Sequence, residues 1–252
     1  MPKKIAQNRV RTRVTLPKVT TKSWLIAMRR WFLKAALYSF LGTLIWVISL
    51  KFLPIWITPL MIARKVEAVF EGKNTKIYSD WTPMSEMSKD APLAVVASED
   101  QLFPQHWGFD FKAMGKALKY NLRGKKIRGA STISQQVAKN VFLWQDRSYI
   151  RKVLEVYFTF LIELVWGKER ILEVYLNVAE TGNMTFGMEA AAQRFFSKSS
   201  AQLSRMEAAR IAAVLPSPRR FSAKNPSSYV QNRTSQIARQ MRMLGRGYVS
   251  NL

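Results

Sequence analysis

The sequence predicts a mainly α-helical body behind one N-terminal transmembrane helix, and three observations carry that prediction. Apolar residues recur at helical spacing in segment after segment of the chain beyond residue 85. Alternating apolar and polar runs, the signature of half-buried strands, are scarce, and no internal repeat is visible. Ahead of the body, residues 35–50, AALYSFLGTLIWVISL, carry no charge at all.

The N-terminal block, residues 1–34, holds ten lysines and arginines and no acid. Lys51 interrupts the apolar run, and FLPIWITPLMIA follows without charge. About 20 apolar residues cross a bilayer core as a helix. Residues 35–57 meet that length, with Lys51 placed to snorkel. A dense basic block before a span marks the cytoplasmic side. The expected organisation is a cytoplasmic tail over 1–34, an anchor over 35–57 and the rest of the chain outside. A cleaved signal peptide would show a shorter apolar region and a small-residue cleavage site, and neither is apparent.

Composition narrows the partner. The 252 residues carry a formal net charge of +24, and 48% are apolar, with eight tryptophans. That is too hydrophobic for a disordered basic tail. The charge calls for an anionic partner, and an anchor that places the body across the membrane argues against nucleic acid. The absence of cysteine excludes disulfides and thiolate metal sites.

The body then reads element by element. Residues 64–92 form a connector rich in turn residues, with a helix over 64–71. A helical segment over 85–98 bears Met87, Leu93, Val95 and Val96. Asp110 is an N-cap for a helix with Phe111, Met114, Ala117, Leu118 and Leu122 on one apolar face. NLRGKKIRGAST is a basic, glycine-punctuated loop, and Ser131 or Thr132 starts the helix ISQQVAKNVF. Residues 148–166 give the clearest amphipathic helix, with Ile150, Val153, Leu154, Tyr157, Phe158, Leu161, Ile162 and Val165 at helical spacing, ended by Gly167. A helix over 168–178 and two alanine-rich helices follow, the second stopped by Pro216 and Pro218. Together they predict a mainly α domain with one core.

One stretch, ASEDQLFPQHWGFD at 97–110, places two adjacent acids, Glu99 and Asp100, at the end of an apolar segment, with the single histidine of the chain, His106, close behind. This stretch and four later blocks carry a resemblance. EDQLFPQHWGFD, RGASTISQQVAKNVFL, RSYIRKVLE, KERILEVYLN and FGMEAAAQRFF occur in this order. The chain over 65–245 resembles the family 51 peptidoglycan glycosyltransferases, in the form that lacks a transpeptidase domain. Phe186 departs from the tyrosine that many members carry before GMEAAA.

The resemblance implies a lysozyme-like glycosyltransferase fold with a smaller membrane-associated lobe, in a bacterial inner membrane, with the catalytic domain periplasmic. It implies polymerisation of lipid II, with the growing glycan strand as donor. Such chemistry needs a base for the acceptor hydroxyl and cations or a metal for the departing diphosphate. By resemblance Glu99 is the base and Glu155 the second catalytic acid. Lys139, Arg147 and Arg151 are the expected diphosphate binders. Ser131, Thr132, Gln135 and Gln136 form a polar stripe that either hydrogen-bonds sugar hydroxyls and amides, the favoured reading, or caps and lines a helix. Asp100 assists or orients the loop, and His106 is structural. A divalent cation, Mg or Mn, is expected, and no organic cofactor. Expected partners are lipid II, the growing strand, membrane lipids and other cell-wall synthases, with no nucleic acid. Two rival readings are a lysozyme-like lytic enzyme acting on the same glycan and a non-enzymatic cell-wall scaffold.

Overall fold

The computed structural model describes residues 21–122, 124, 129–146, 148–250 and 252. The expected tail residues 1–20, most of the basic loop over 123–128 and Arg147 lie outside the described residues. Two compact units divide the chain, residues 1–45 and 46–252.

In the first unit, helix α1 (Thr21–Phe52, which continues into the second) presents its apolar side chains outward, among them Trp31, Phe32, Leu37 and Ile45. The stretch Trp24–Phe52 is long and apolar enough to cross a membrane. The helix begins well before residue 35 and stops before residue 57. Its end has a local cause: proline forces the preceding residue out of the α region, and Pro54 places that break at Leu53.

In the second unit, the last turn of α1 docks on the body. Val47 is fully buried, its carbonyl accepting from the Trp166 indole at 2.7 Å. Trp46 meets Phe142 edge-on, with centroids 5.0 Å apart. A helix leaves its final carbonyls unpaired, and cations favour that end. Arg170 supplies one, donating to the Leu50 carbonyl at 2.9 Å.

Helix α2 (Pro59–Phe70) is capped by Thr58, with Pro59 at its first position. It starts five residues earlier than the sequence suggested, because the Thr58-Pro59 pair is a start signal inside an uncharged run that hides it. Helix α3 (Asp90–Glu99) is buried from residue 90 through 97, as a helix apolar on all sides must be. Helix α4 (Phe111–Asn121) carries the expected Asp110 cap. Helix α5 (Ile133–Phe142) opens with a reciprocal Thr132–Gln135 capping box. Helix α6 (Tyr149–Val165) is capped by Ser148, and α7 (Gly167–Val178) follows at Gly167. Helices α8 (Met188–Phe196), α9 (Arg205–Val214) and α10 (Ser228–Leu244) complete the set. Helices α3, α9 and α10 pack on one another, α5 packs on α6 and α7, and α3 meets α7.

Three short strands were not legible in the sequence. Strand β3 (Thr185–Phe186) lies between β1 (Tyr78–Ser79), parallel to it, and β2 (Glu180–Gly182), antiparallel. Two or three residues are too few for a period. Gly187 follows β3 with φ +82, and a Cβ there would stand 2.6 Å from the Asn177 carbonyl oxygen, so only glycine fits.

The expected core faces need correction. On α4, Phe111, Leu118 and Leu122 are exposed and only Ala117 is buried. On α6, Ile150 and Val153 are exposed, whereas Phe158, Leu161 and Ile162 are in the core. Helical periodicity reports that a face is apolar; it does not say whether protein or lipid covers it.

Candidate active site

A cavity of about 1050 Å³ opens between the C-terminal end of α3, helix α4, the N-terminal end of α5 and helix α10. Glu99, Lys116, Ser131, Gln136, Arg233 and Gln240 are in its wall. Glu99 is the last residue of α3, so the buried apolar helix delivers its carboxyl to the cavity. The side chain is 14% exposed.

One hydrogen bond holds that carboxyl. The Gln136 amide donates to Glu99 Oε2 at 3.0 Å. Gln136 is itself oriented from behind, where the Tyr175 hydroxyl, on α7, donates to its Oε1 at 3.1 Å. The Arg233 guanidinium stands 3.9 Å from Glu99 Oε1. Burial pushes the Glu99 carboxyl above its ordinary range, and the neighbouring Asp100 adds to that; Gln136 and Arg233 oppose it without reversing it.

Asp100 has a different task. Its carboxylate accepts from the Ile133 backbone N–H at 3.0 Å, at the start of α5, where negative charge is favoured. It also faces His106 Nε2 at 2.9 Å. Asp100 therefore fixes α5 against α3, and His106 is engaged with it rather than with the cavity.

The expected polar stripe divides. Ser131 is exposed in the cavity wall, and Gln136 is bound to Glu99. Thr132 is buried, donates to the Gly108 carbonyl at 2.6 Å and caps α5. Gln135 is 2% exposed, and its Oε1 accepts from the Thr132 N–H at 3.1 Å. A helix start has backbone donors to satisfy; Thr132 and Gln135 satisfy them, which leaves the Gln135 side chain facing backbone instead of sugar.

Residues three apart on a helix are neighbours on one face, so the α5 face that presents Gln136 to Glu99 presents Lys139 one turn on. Lys139 lies in a second cluster. Glu155, on α6, is 3% exposed; it accepts from Arg151 Nη1 at 2.9 Å and from the Lys152 ammonium. Arg151 is braced by its Nε donating to the Asp146 carbonyl at 2.6 Å. Burial draws the Lys139 pKa down; Glu155 opposes this, while Arg151, Arg64 and Lys152 add to it. Arg151 and Lys152 thus share one carboxylate, with Lys139 within its electrostatic reach.

That donor set does not suit a resident divalent cation. Such ions want several oxygen ligands. Both oxygens of Glu155 already face cations, and among the described residues no three His, Cys, Asp or Glu side chains converge. Three cations near one carboxylate leave the cluster net positive, which favours an anion.

Sequence reasoning did not single out Arg233, Arg64 or Glu180. Arg233 reaches Glu99 across 134 residues, and Arg64 pairs with Glu180 across 116. No local spacing announces either pairing.

Residues 65–242 match the family described as Transglycosylase. Relatives described as biosynthetic peptidoglycan transglycosylase cover most of the chain. That of Chromohalobacter salexigens is 51% identical over 226 residues, 89% of this chain and 96% of the relative. That of Pseudomonas entomophila is 52% identical over 84% of this chain and 90% of the relative. That of Xanthomonas campestris pv. campestris is 50% identical over 86% and 88%.

Proposed function

We propose, from the premise that this chain belongs to the transglycosylase family, that Glu99 and the cations around Glu155 are the two poles of one glycan-polymerising site. The protein is a peptidoglycan glycosyltransferase that polymerises lipid II into linear glycan strands. The growing strand leaves its undecaprenyl diphosphate and is joined, with inversion, to the 4-hydroxyl of the next lipid II.

The single observation that carries the assignment of roles is the contrast in partners. Glu99 is held by an amide, and its carboxyl is pushed up by burial. A base poised nearer the working pH is a better proton acceptor. We assign Glu99 to take the proton of the acceptor 4-hydroxyl as that oxygen attacks the donor anomeric carbon. The bond from that carbon to the diphosphate oxygen breaks, and its electrons leave with the diphosphate. Lys139, Arg151 and Lys152 meet the charge that develops there. Arginine offers a fixed fork to phosphate oxygens, and lysine a point charge. Glu155 holds two of these cations in place. We keep a divalent ion, Mg or Mn, as a proposal: it would be held largely by the diphosphate oxygens and would supply charge there beside these cations. Ser131 and Gln136 remain the sugar-facing side chains of the polar stripe.

An N-terminal apolar helix anchors the protein. We propose the bacterial inner membrane with the N-terminus cytoplasmic, on the charge bias of the first 34 residues. The exposed apolar residues of α4 and of the first turns of α6 then face lipid, which suits substrates that carry long lipid chains. Cross-linking cell-wall synthases are the protein partners we propose, because a linear strand must be cross-linked by another reaction.

The lysozyme-like reading needs an acid in a sugar groove and no cationic cluster; Lys139, Arg151 and Lys152 favour the polymerase. The test uses full-length protein in detergent with fluorescent lipid II, wild type beside Glu99→Gln. The expected result is a ladder of lysozyme-sensitive strands from the wild type and none from the variant. Shortening of preformed glycan without polymerisation would turn the reading to a hydrolase. Polymer from the variant at the wild-type rate would remove Glu99 as base.

A further inference from the structure

The α10 wall of the cavity carries a row of side chains to which the chemistry above gives no task. Tyr229, Arg233, Gln236 and Gln240 all border the cavity. They stand four, three and four residues apart, so they share one face of α10. The helix docks on the body through other residues, Val230, Ile237, Ala238 and Met241, which are buried.

Packing explains Arg233 poorly. Its Nη2 stops 3.9 Å from Glu99 Oε1, beyond the roughly 2.7–2.9 Å of a charge-assisted hydrogen bond. Its Nε is buried with no hydrogen-bond partner among the described residues. A guanidinium placed only to tie α10 to α3 would close on the carboxylate. A buried donor without a partner costs stability, so the side chain is not arranged for the fold's own benefit. The Gln136 amide occupies Glu99 Oε2. Oε1, the oxygen nearest Arg233, is therefore the one left to meet a substrate proton.

We propose that Arg233 binds the acceptor. Its guanidinium donates to an oxygen of the acceptor sugar beside the 4-hydroxyl, and Gln236 and Gln240 continue the contact along α10 to hydroxyl and acetamido groups of the same acceptor. The 4-hydroxyl then lies between Arg233 and Glu99 Oε1, its proton towards the carboxylate. The cavity is lined by Glu99 and by none of Lys139, Arg151, Lys152 and Glu155, so the row serves the acceptor and not the departing diphosphate. Ser131 and Gln136 border the same cavity at the start of α5, which holds the sugar from a second side.

The inference rests on the polymerase reading for the identity of the acceptor, so its first test reads binding without turnover. Two lipid II analogues separate the roles. One, capped at the 4-hydroxyl, can only donate. The other, with a methylene group in place of the anomeric oxygen next to phosphorus, can only accept. Each is titrated into full-length Glu99→Gln protein in detergent, the acceptor analogue in the presence of saturating donor analogue. Adding Arg233→Ala should weaken acceptor binding about tenfold, the worth of a hydrogen bond from a charged group, and leave donor binding unchanged. Arg233→Lys should recover part of the loss. Gln236→Ala, at an exposed position, should weaken acceptor binding about threefold with an unchanged thermal midpoint, which keeps the test decisive if Arg233→Ala folds poorly. Unchanged acceptor binding in Arg233→Ala and Gln236→Ala would overturn the proposal, and so would equal losses for both analogues.

The acid limb of kcat/KM gives a readout that packing would not move. Asp100, Asp110, Lys116 and Arg233 are the charged residues that share the cavity with Glu99, and Tyr175 stands behind Gln136. Arg233 is the cation that opposes the upward push on the Glu99 carboxyl. Arg233→Ala should therefore shift the acid limb to higher pH, and Arg233→Lys should restore it. A limb that stays in place would take Arg233 away from the base. Failure of the wild type to join the two analogues would sink the proposed function, while the binding titrations would still decide the place of Arg233.

Discussion

Glu99 and Glu155 are two mostly buried carboxylates in one protein, and their surroundings are opposite. Glu99 meets one amide at 3.0 Å and a guanidinium at 3.9 Å. Glu155 meets a guanidinium at 2.9 Å and an ammonium directly. The first is left short of charge compensation and is pushed towards the proton. The second is compensated and acts on the cations that surround it. Residue type is the same; the partners set which carboxyl is pushed towards the proton and which is held charged among cations, and the proposed roles follow that difference.

The largest effect that tests this difference comes from removing each acid in turn. Glu99→Gln should lower the polymerisation rate by about 10²–10⁴-fold, the usual worth of a positioned base. It should also raise the thermal midpoint at neutral pH. The sign follows from linkage: a carboxyl whose pKa is raised by folding gives stability that is present at low pH and lost as pH rises through the folded value. The raised pKa makes an ionised Glu99 a burden that glutamine lacks. Glu155→Gln should do the reverse to stability, because Arg151 loses its buried counter-charge, at a cost of about 1.5–3 kcal/mol, while the more exposed Lys152 turns to water. Scanning calorimetry on the two variants checks this. Midpoints that move in the same direction would erase the contrast.

The pH profile sharpens it. The acid limb of kcat/KM reports the free enzyme's base, and the raised Glu99 places it above the ordinary carboxylate value of about 4.3. The alkaline limb should begin below the ordinary lysine range, since burial and three neighbouring cations draw Lys139 down. Lys139→Arg should move that limb upward, as arginine stays charged. An acid limb at the ordinary carboxylate value would mean that Glu99 is better solvated than its place at the end of α3 implies.

The same contrast explains what could be read from the sequence. Glu155 and Arg151 stand four apart on an evident amphipathic helix, so their pairing follows from helical geometry. The delivery of Glu99 by an apolar segment was equally legible. Thr132 was legible as a cap, but a cap and a sugar ligand use the same side-chain chemistry, and only the folded structure shows Thr132 and Gln135 spent on the start of α5. Arg233, Arg64 and Glu180 were illegible because their partners come from helices and strands far away in the sequence. The outward faces of α4 and α6 misled for a physical reason: apolar periodicity marks a face without saying what covers it.

The smallest predicted effect isolates orientation at the Glu99 pole. Tyr175 donates to Gln136, and among the described residues no hydrogen bond joins it to Glu99. Tyr175→Phe keeps the ring in its buried place and removes one donor, leaving the Gln136 amide free to turn. A neutral hydrogen bond is worth about 1 kcal/mol, so kcat should fall about fivefold. KM for lipid II should hold, because the cations near Glu155 are untouched. Adding Tyr175→Phe to Glu99→Gln should then change little, since an orienting residue has nothing left to orient. A further fivefold fall in the double variant would show that Tyr175 acts on the substrate by another route, and the chain from α7 through Gln136 to Glu99 would be broken at its first link.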